Sequence, residues 1–268
     1  MRQDYVHGYD DTESARLSDQ ARILESLLHE GTRYPGGCTV LEAGCGTGAQ
    51  TAVLLRRSPG ARFTCVDRSA ASLAEAEARI AAAGLPAPRF RRADLLALPF
   101  TEASFDHVFV CFVLEHMPRP GEALAELRRV LKPGGSLTVI EGDNGSTLLH
   151  PDAAEAHAAI ACLVALQRAA GGDGLIGRRL FPILAEAGFA DVAVTPRVAY
   201  ADAGRPDWVD GFVRRTFVAM VAGIRQPAIA AGLVGADAFD RGIQALLRTT
   251  EPDGSFGYTF HKAVARRP

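Results

Sequence analysis

Little in this chain of 268 residues points to a charged or extended partner. Its 29 Lys and Arg stand against 31 Asp and Glu, a formal net charge of -2, and basic runs are no longer than pairs such as Arg56-Arg57 and Arg91-Arg92. A protein that grips a nucleic-acid backbone non-specifically needs a basic excess or cluster to displace counterions, so no nucleic-acid partner is expected. Long apolar runs are missing as well. The stretch from Val108 to Leu114 is about a third of the ~20 residues that cross a bilayer, and no membrane span is expected. The opening Met1-Arg2-Gln3-Asp4-Tyr5 carries no apolar stretch, so no secretory signal is expected there. Cysteine is scarce and unpatterned: five residues, at 38, 45, 65, 111 and 162, with no CxxC pair. Such thiols behave as small buried hydrophobes, so neither a disulfide frame nor a metal site is expected and the chain reads as cytoplasmic. Internal repeats and low-complexity linkers are also lacking.

What is present is an alternation of periods. Leu17, Ala21, Leu24 and Leu28 recur at helical spacing over 12–30, with Gly31 as the stop. A turn at 32–37 leads to the apolar run Thr39-Val40-Leu41, which reads as a buried strand. The spacing then predicts a helix over 49–57, a strand over 62–66, an Ala-rich helix over 70–83, and strands over 90–92 and 105–113. A helix over 122–131, a Lys132-Pro133-Gly134-Gly135 turn and a strand over 136–141 follow. Strands separated by helices of this length lie parallel, joined by crossovers, and imply an α/β sheet with covered faces. The second half is less regular, with helices over 150–170, 178–187 and 206–224, shorter helices to 248, and strands over 191–200 and 256–265.

The first strand runs into Gly44-Cys45-Gly46-Thr47-Gly48 and then a helix. Glycines at alternate positions let backbone pass close to a ligand, at the carboxyl end of a strand where open α/β sheets bind. Dinucleotide folds use G-x-G-x-x-G instead, with pyrophosphate on the helix N-terminus. Glu42 stands two residues before the first glycine. A carboxylate there repels pyrophosphate but suits a ligand with an ammonium group.

Val40-Leu41-Glu42-Ala43-Gly44-Cys45-Gly46-Thr47-Gly48 resembles the first motif of class I S-adenosylmethionine-dependent methyltransferases. Further segments are similar in order: Cys65-Val66-Asp67, Ala93-Asp94-Leu95, Phe105-Asp106-His107-Val108, Leu114-Glu115-His116 and Leu131-Lys132-Pro133-Gly134-Gly135. The resemblance is strong over 38–142 and weak elsewhere. It implies a Rossmann-like, seven-stranded, mostly parallel sheet with helices on both faces and a helical cap. It also implies S-adenosylmethionine as cofactor and S-adenosylhomocysteine as its product. The implied organisation is one domain over 1–268: a helical lid at 1–37, the cofactor core at 38–142, cap insertions at 143–175 and 201–250, and a last strand in 251–268.

Candidate cofactor residues are Glu42, Gly44, Cys45, Gly46, Gly48, Asp67, Arg68, Asp94, Leu95 and Cys111, with Tyr5 or Tyr9 closing over the bound molecule. In that family the acid matching Asp67 binds the ribose and the one matching Asp94 the adenine amino group. Asp67 also reads as an N-cap for the helix that follows, Glu42 as a cap or an ion-pair partner, and Asp94 as a turn residue. A general base is needed only if the acceptor loses a proton, and the candidates are His116, His150 and, less so, His7. Trp208, Phe212 and Phe217 fit helix core or pocket lining. No Asn-Pro-Pro-Tyr signature follows the fourth strand, whose end, Cys111-Phe112-Val113, is apolar. The expected acceptor is a small organic molecule methylated at O, N or C, by a monomer or homodimer. Alternatives are a cofactor-binding member of the fold with another reaction, such as cyclisation, and an NAD(P)-dependent oxidoreductase.

Overall fold

Parallel strands with buried apolar faces form the first half of a mixed sheet. The computed structural model describes residues 23–268, so the expected N-terminal helix is described from residue 23, with α1 at residues 23–28. Then come β1 (Thr39–Ala43), α2 (Ala49–Arg57), β2 (Arg62–Asp67), α3 (Ala70–Ala82), β3 (Arg89–Arg92) and β4 (Phe105–Cys111). A 3-10 turn at Leu114–His116, α4 (Pro120–Val130) and β5 (Leu131–Gly142) complete this half. The pairings β1–β2, β1–β4, β2–β3 and β4–β5 are all parallel. The expected 132–135 turn survives as an excursion within β5: Leu131 pairs with Phe105 and pairing resumes at Ser136 with His107.

The antiparallel half is built on the strand latest in the chain. After β6 (Leu148–His150), α5 (Ala154–Ala169), α6 (Leu180–Glu186) and β7 (Ala190–Asp202) comes a helical stretch, then β8 (Ser255–Arg266). The path is β3-β2-β1-β4-β5-β8-β6, with β7 also on β8, so among the described residues the sheet has eight strands, one more than the seven expected. The extra strand is β6, whose three residues pair with Gly257, Phe256 and Ser255. It takes residue 150 from the expected 150–170 helix, which starts instead at Ala154.

The expected helix over 206–224 is three pieces: α7 (Pro206–Trp208), a π-helix at Val209–Val218 and α8 (Ala219–Gly223). In the π segment the Ala219 N–H donates to the Arg214 carbonyl, five residues back. The wider turn keeps Phe212, Val213, Phe217 and Val218 buried together. Two further helices follow, α9 (Arg225–Ala230) and α10 (Ala236–Arg248).

Each face of the sheet has its own apolar core. On one, Leu124 and Leu127 of α4 and Leu180 and Leu184 of α6 cover Val108, Val110, Leu137 and Val139. On the other, α1, α2, α5, α10 and the π segment cover Phe109, Cys111, Ile140, Phe256 and Phe260. Burying each such side chain contributes about 1.5–3 kcal/mol, and the loops at the carboxyl ends of β1, β2 and β4 are thereby mounted on the stiffest part of the fold. Among the described residues no helix is long and apolar enough to cross a membrane.

Candidate active site

The glycine loop leaves β1 beside the ends of β2 and β4. Gly44 and Cys45 N–H both donate to the Val66 carbonyl, at 2.8 and 3.0 Å, pinning the loop to β2. Gly44 has φ +77, and a Cβ there would meet Val113 Cγ2 at 2.5 Å. Gly48, also left-handed, is the N-cap of α2, with a virtual Cβ 2.9 Å from Ala76. Gly46 differs: among the described residues nothing lies within 4 Å of where its Cβ would sit, so there the loop presents bare backbone. The Arg79 guanidinium donates to the Thr47 carbonyl at 2.7 Å and ties the loop to α3.

Asp67, at the end of β2, reaches back to this loop. Its Oδ2 accepts from Gly46 N–H at 3.0 Å and its Oδ1 from Ser69 N–H at 2.9 Å. The N-cap of α3 is Ser69, whose Oγ accepts from Ser72 N–H at 3.1 Å, so capping does not account for Asp67. Asp94 is exposed and forms a turn, Oδ1 accepting from Leu96 N–H at 2.9 Å, while Leu95 is buried. Arg68 is exposed, and its carbonyl accepts from Arg92 Nε at 2.9 Å. Tyr5, His7 and Tyr9 lie outside the described residues.

Glu42 is buried inside this arc. Its Oε2 accepts from the Cys65 thiol at 3.4 Å, and no ion pair reaches it among the described residues. Burial pushes its carboxyl up to about 7, against the Thr51 hydroxyl and Cys65 thiol and with a further push from Asp67. A buried carboxylate without a counter-ion, beside exposed backbone and a second acid, fits a ligand carrying positive charge and hydroxyls. It fits a pyrophosphate poorly.

Beyond β4 the chain turns sharply. Phe112 has φ 57, unusual for a bulky residue, and is held by its N–H on the Ile140 carbonyl at 2.9 Å. The 3-10 turn follows, bringing Glu115 and His116 to the carboxyl edge of the sheet beside Cys111; His116 Nε2 lies 3.6 Å from Glu115 Oε1. His150 is elsewhere. It is exposed on β6 opposite Ser255, five positions along β8 from Phe260, the partner of Gly142. At strand rise that is roughly 17 Å past the sheet edge. Phe212 and Phe217 are core, packed on Phe256, Tyr258 and Phe260, while Trp208 is half-buried under the Arg205 guanidinium at 4.1 Å.

Sequence reasoning passed over a set of buried polar groups at this same edge. Glu141, fully buried at the end of β5, accepts from Val113 and Leu114 N–H at 3.0 and 2.8 Å, which anchors the turn. Asn144, Gln167 and Tyr258 lie nearby in one hydrogen-bonded chain. Glu141 hides in the apolar run Leu137 to Glu141; only an acid inside an otherwise apolar strand marks it.

Residues 41–139 match the family model described as a methyltransferase domain. Over these residues the chain is similar to methyltransferase domains. Over 217 residues the chain is 34% identical to an uncharacterized 37.1 kDa protein in transposon TN4556 of Streptomyces fradiae, covering 80% of this chain and 61% of that one. Over 122 residues it is 42% identical to the ubiquinone/menaquinone biosynthesis C-methyltransferase UbiE of Paracoccus denitrificans, covering 45% of this chain and 48% of that one. The methyltransferase domain therefore aligns while the chain spans only 48–61% of the length of these relatives. Among solved structures, the cyclase SpnF superposes with a TM-score of 0.55 at 23% identity, covering 94% of this chain and 81% of that one, a likeness of fold.

Proposed function

We propose that this protein transfers a methyl group from S-adenosylmethionine to an O, N or C atom of a small organic acceptor. The observation that carries this reading is the loop itself: Gly46 backbone uncovered by the described residues, a buried Glu42 carboxyl with no ion pair among them, and Asp67 locked beside both, in a stretch that matches a methyltransferase domain. When bound, the cofactor supplies an activated methyl on a positively charged sulfur. Glu42 faces the cofactor's ammonium end, Asp67 takes the ribose hydroxyls, and Asp94 with Leu95 borders the adenine. Holding donor and acceptor in line is the protein's main task, and orientation alone lowers such barriers by roughly 7–11 kcal/mol at the upper limit. The helices over 143–175 and 201–250 form the cap, and the aromatic edge at Phe112 and Phe260 suits an apolar acceptor. A cytoplasmic location, no nucleic-acid partner, and a monomer or homodimer complete the reading.

Calorimetric titration with S-adenosylmethionine, S-adenosylhomocysteine and NAD(P)H tests the cofactor. Binding of the first two and not the third is expected; nicotinamide binding alone overturns the reading. A mass gain of one methyl on members of an acceptor panel then separates transfer from cofactor binding without methylation.

A further inference from the structure

The buried polar chain at the carboxyl edge has a direction. Tyr258 Oη donates to Asn144 Oδ1 at 3.0 Å, Asn144 Nδ2 donates to Gln167 Oε1 at 3.0 Å, and Gln167 Nε2 donates to Glu115 Oε2 at 3.3 Å. Every donor points the same way, and the last acceptor is Glu115. Donors aligned in series polarise one another, so the chain favours a carboxylate at its end over a carboxylic acid. Two glycines keep the chain intact: a Cβ at Gly142 would strike the Tyr258 hydroxyl, and one at Gly174 would strike Gln167 Oε1.

Glu141, which anchors the 113–114 turn, lies close enough to Glu115 to feel its charge. Its Oε1 is taken by the backbone of the 113–114 turn, and its buried Oε2 has no hydrogen-bond partner among the described residues. Burial first, and the Glu115 charge second, push the Glu141 carboxyl well up, against the pull of the turn's backbone N–H groups. Two neighbouring carboxyls share one proton most easily when one is buried and the other hydrogen-bonded as an anion. Here Glu141 is the buried member, pushed toward its neutral form, and Glu115 is the member that accepts the Gln167 amide. Other titratable groups around them are His116 on the same turn, Cys111 on β4, Asp143 just after β5 and Tyr258 on β8, with Glu42 and Lys262 also felt at Cys111. Glu115 is the member of the pair that reaches solvent: its side chain is 15% exposed, whereas Glu141 is fully buried.

We propose that the Glu115 carboxylate receives the acceptor's proton in methyl transfer, and that Glu141, Gln167, Asn144 and Tyr258 are positioning residues that keep it ionised and fixed. The inference rests on the methyltransferase reading. As the acceptor atom bonds to the methyl carbon, the carbon–sulfur bond breaks and its electron pair stays on sulfur, leaving a neutral thioether. The proton leaves the acceptor for Glu115 and passes from there to water.

Carbon-detected NMR of the glutamate-labelled full chain, titrated over pH, reads the two carboxyls without any acceptor. Glu141 neutral and Glu115 ionised at neutral pH is the expected result; the reverse assignment overturns the proposal. With an acceptor that gains a methyl, Glu115→Gln should lower kcat by about 10²–10⁴-fold, the usual contribution of a general base, with S-adenosylhomocysteine affinity retained. Gln167→Met removes the last donor and should move the acid limb of kcat/KM up by about one pH unit, a shift that a purely structural role leaves alone. A Glu115→Gln variant with wild-type kcat, or a Gln167→Met profile that does not move, overturns the assignment. If wild-type protein binds no S-adenosylmethionine, the methyltransferase reading fails instead, and the NMR result still decides which carboxyl holds the proton.

Discussion

In the proposed cofactor site Asp67 is a half-buried acid and Glu42 a fully buried one. Asp67 uses one oxygen to hold Gly46 and the other to hold Ser69, so it shapes the loop besides offering its remaining lone pairs to a hydroxyl. Asp67→Ala should weaken S-adenosylhomocysteine binding by ~1–3 kcal/mol in calorimetry, the loss of a hydrogen bond to a charged group. Glu42 makes the same binding depend on pH. With its carboxyl near 7 when no cation is bound, part of the population holds a proton that an incoming ammonium must displace. Affinity for S-adenosylmethionine should therefore rise up to tenfold per pH unit below 7 and level off above it, and Glu42→Gln should flatten that slope.

At the scale of elements, the loop and the turn after β4 are one packed unit. Gly44→Ala forces a methyl into Val113 and a side chain into φ +77 at once. The expected result is a loss of about 1–3 kcal/mol in chemical denaturation, with Val113→Ala in the same chain recovering the packing part and not the backbone part. Much of this half was legible in the sequence, because parallel strands buried on both faces leave continuous apolar runs and their crossovers leave helical periods. Asp67 was ambiguous as a cap only because Ser69, two positions on, has the same capping chemistry. The short β6 left no period to read, and its pairing depends on β8, more than a hundred residues later. The π segment keeps an amphipathic face, so its i→i−5 bonding is invisible to spacing. Leu114-Glu115-His116 drew attention to the histidine; Glu115 gains its role only from Gln167 and Glu141, which meet it through the fold.

Across the whole molecule, buried titratable groups pull stability in opposite directions. His29 is buried against Phe109 with Nε2 on Gln50 Oε1 at 2.6 Å, and burial lowers its imidazole to about 4. As pH falls from 6.5 toward 4, the unfolded chain takes up a proton that the folded chain refuses, so this group removes stability on acidification. Glu42, raised to about 7, works the other way, since the folded chain is the better proton holder between 4.5 and 7. His29→Asn should thus cancel about 2 kcal/mol of acid-induced loss between pH 7.5 and 5, read as the difference between variant and wild-type denaturation curves.

The strand β8 binds β5 on one side, β7 on the other and β6 at its N-terminal end. Until residues 255–266 have been synthesised, β5 has a bare edge, β7 has no partner and the aromatic set on Phe256, Tyr258 and Phe260 has no floor. A nascent chain on the ribosome thus carries a nearly finished cofactor core beside a half-open, sticky sheet edge. Pairings of such long sequence separation close slowly. Frameshifts or proteolytic nicks that remove residues 255–266 should then yield aggregates rather than shortened but soluble protein, because that strand is the one that closes the sheet.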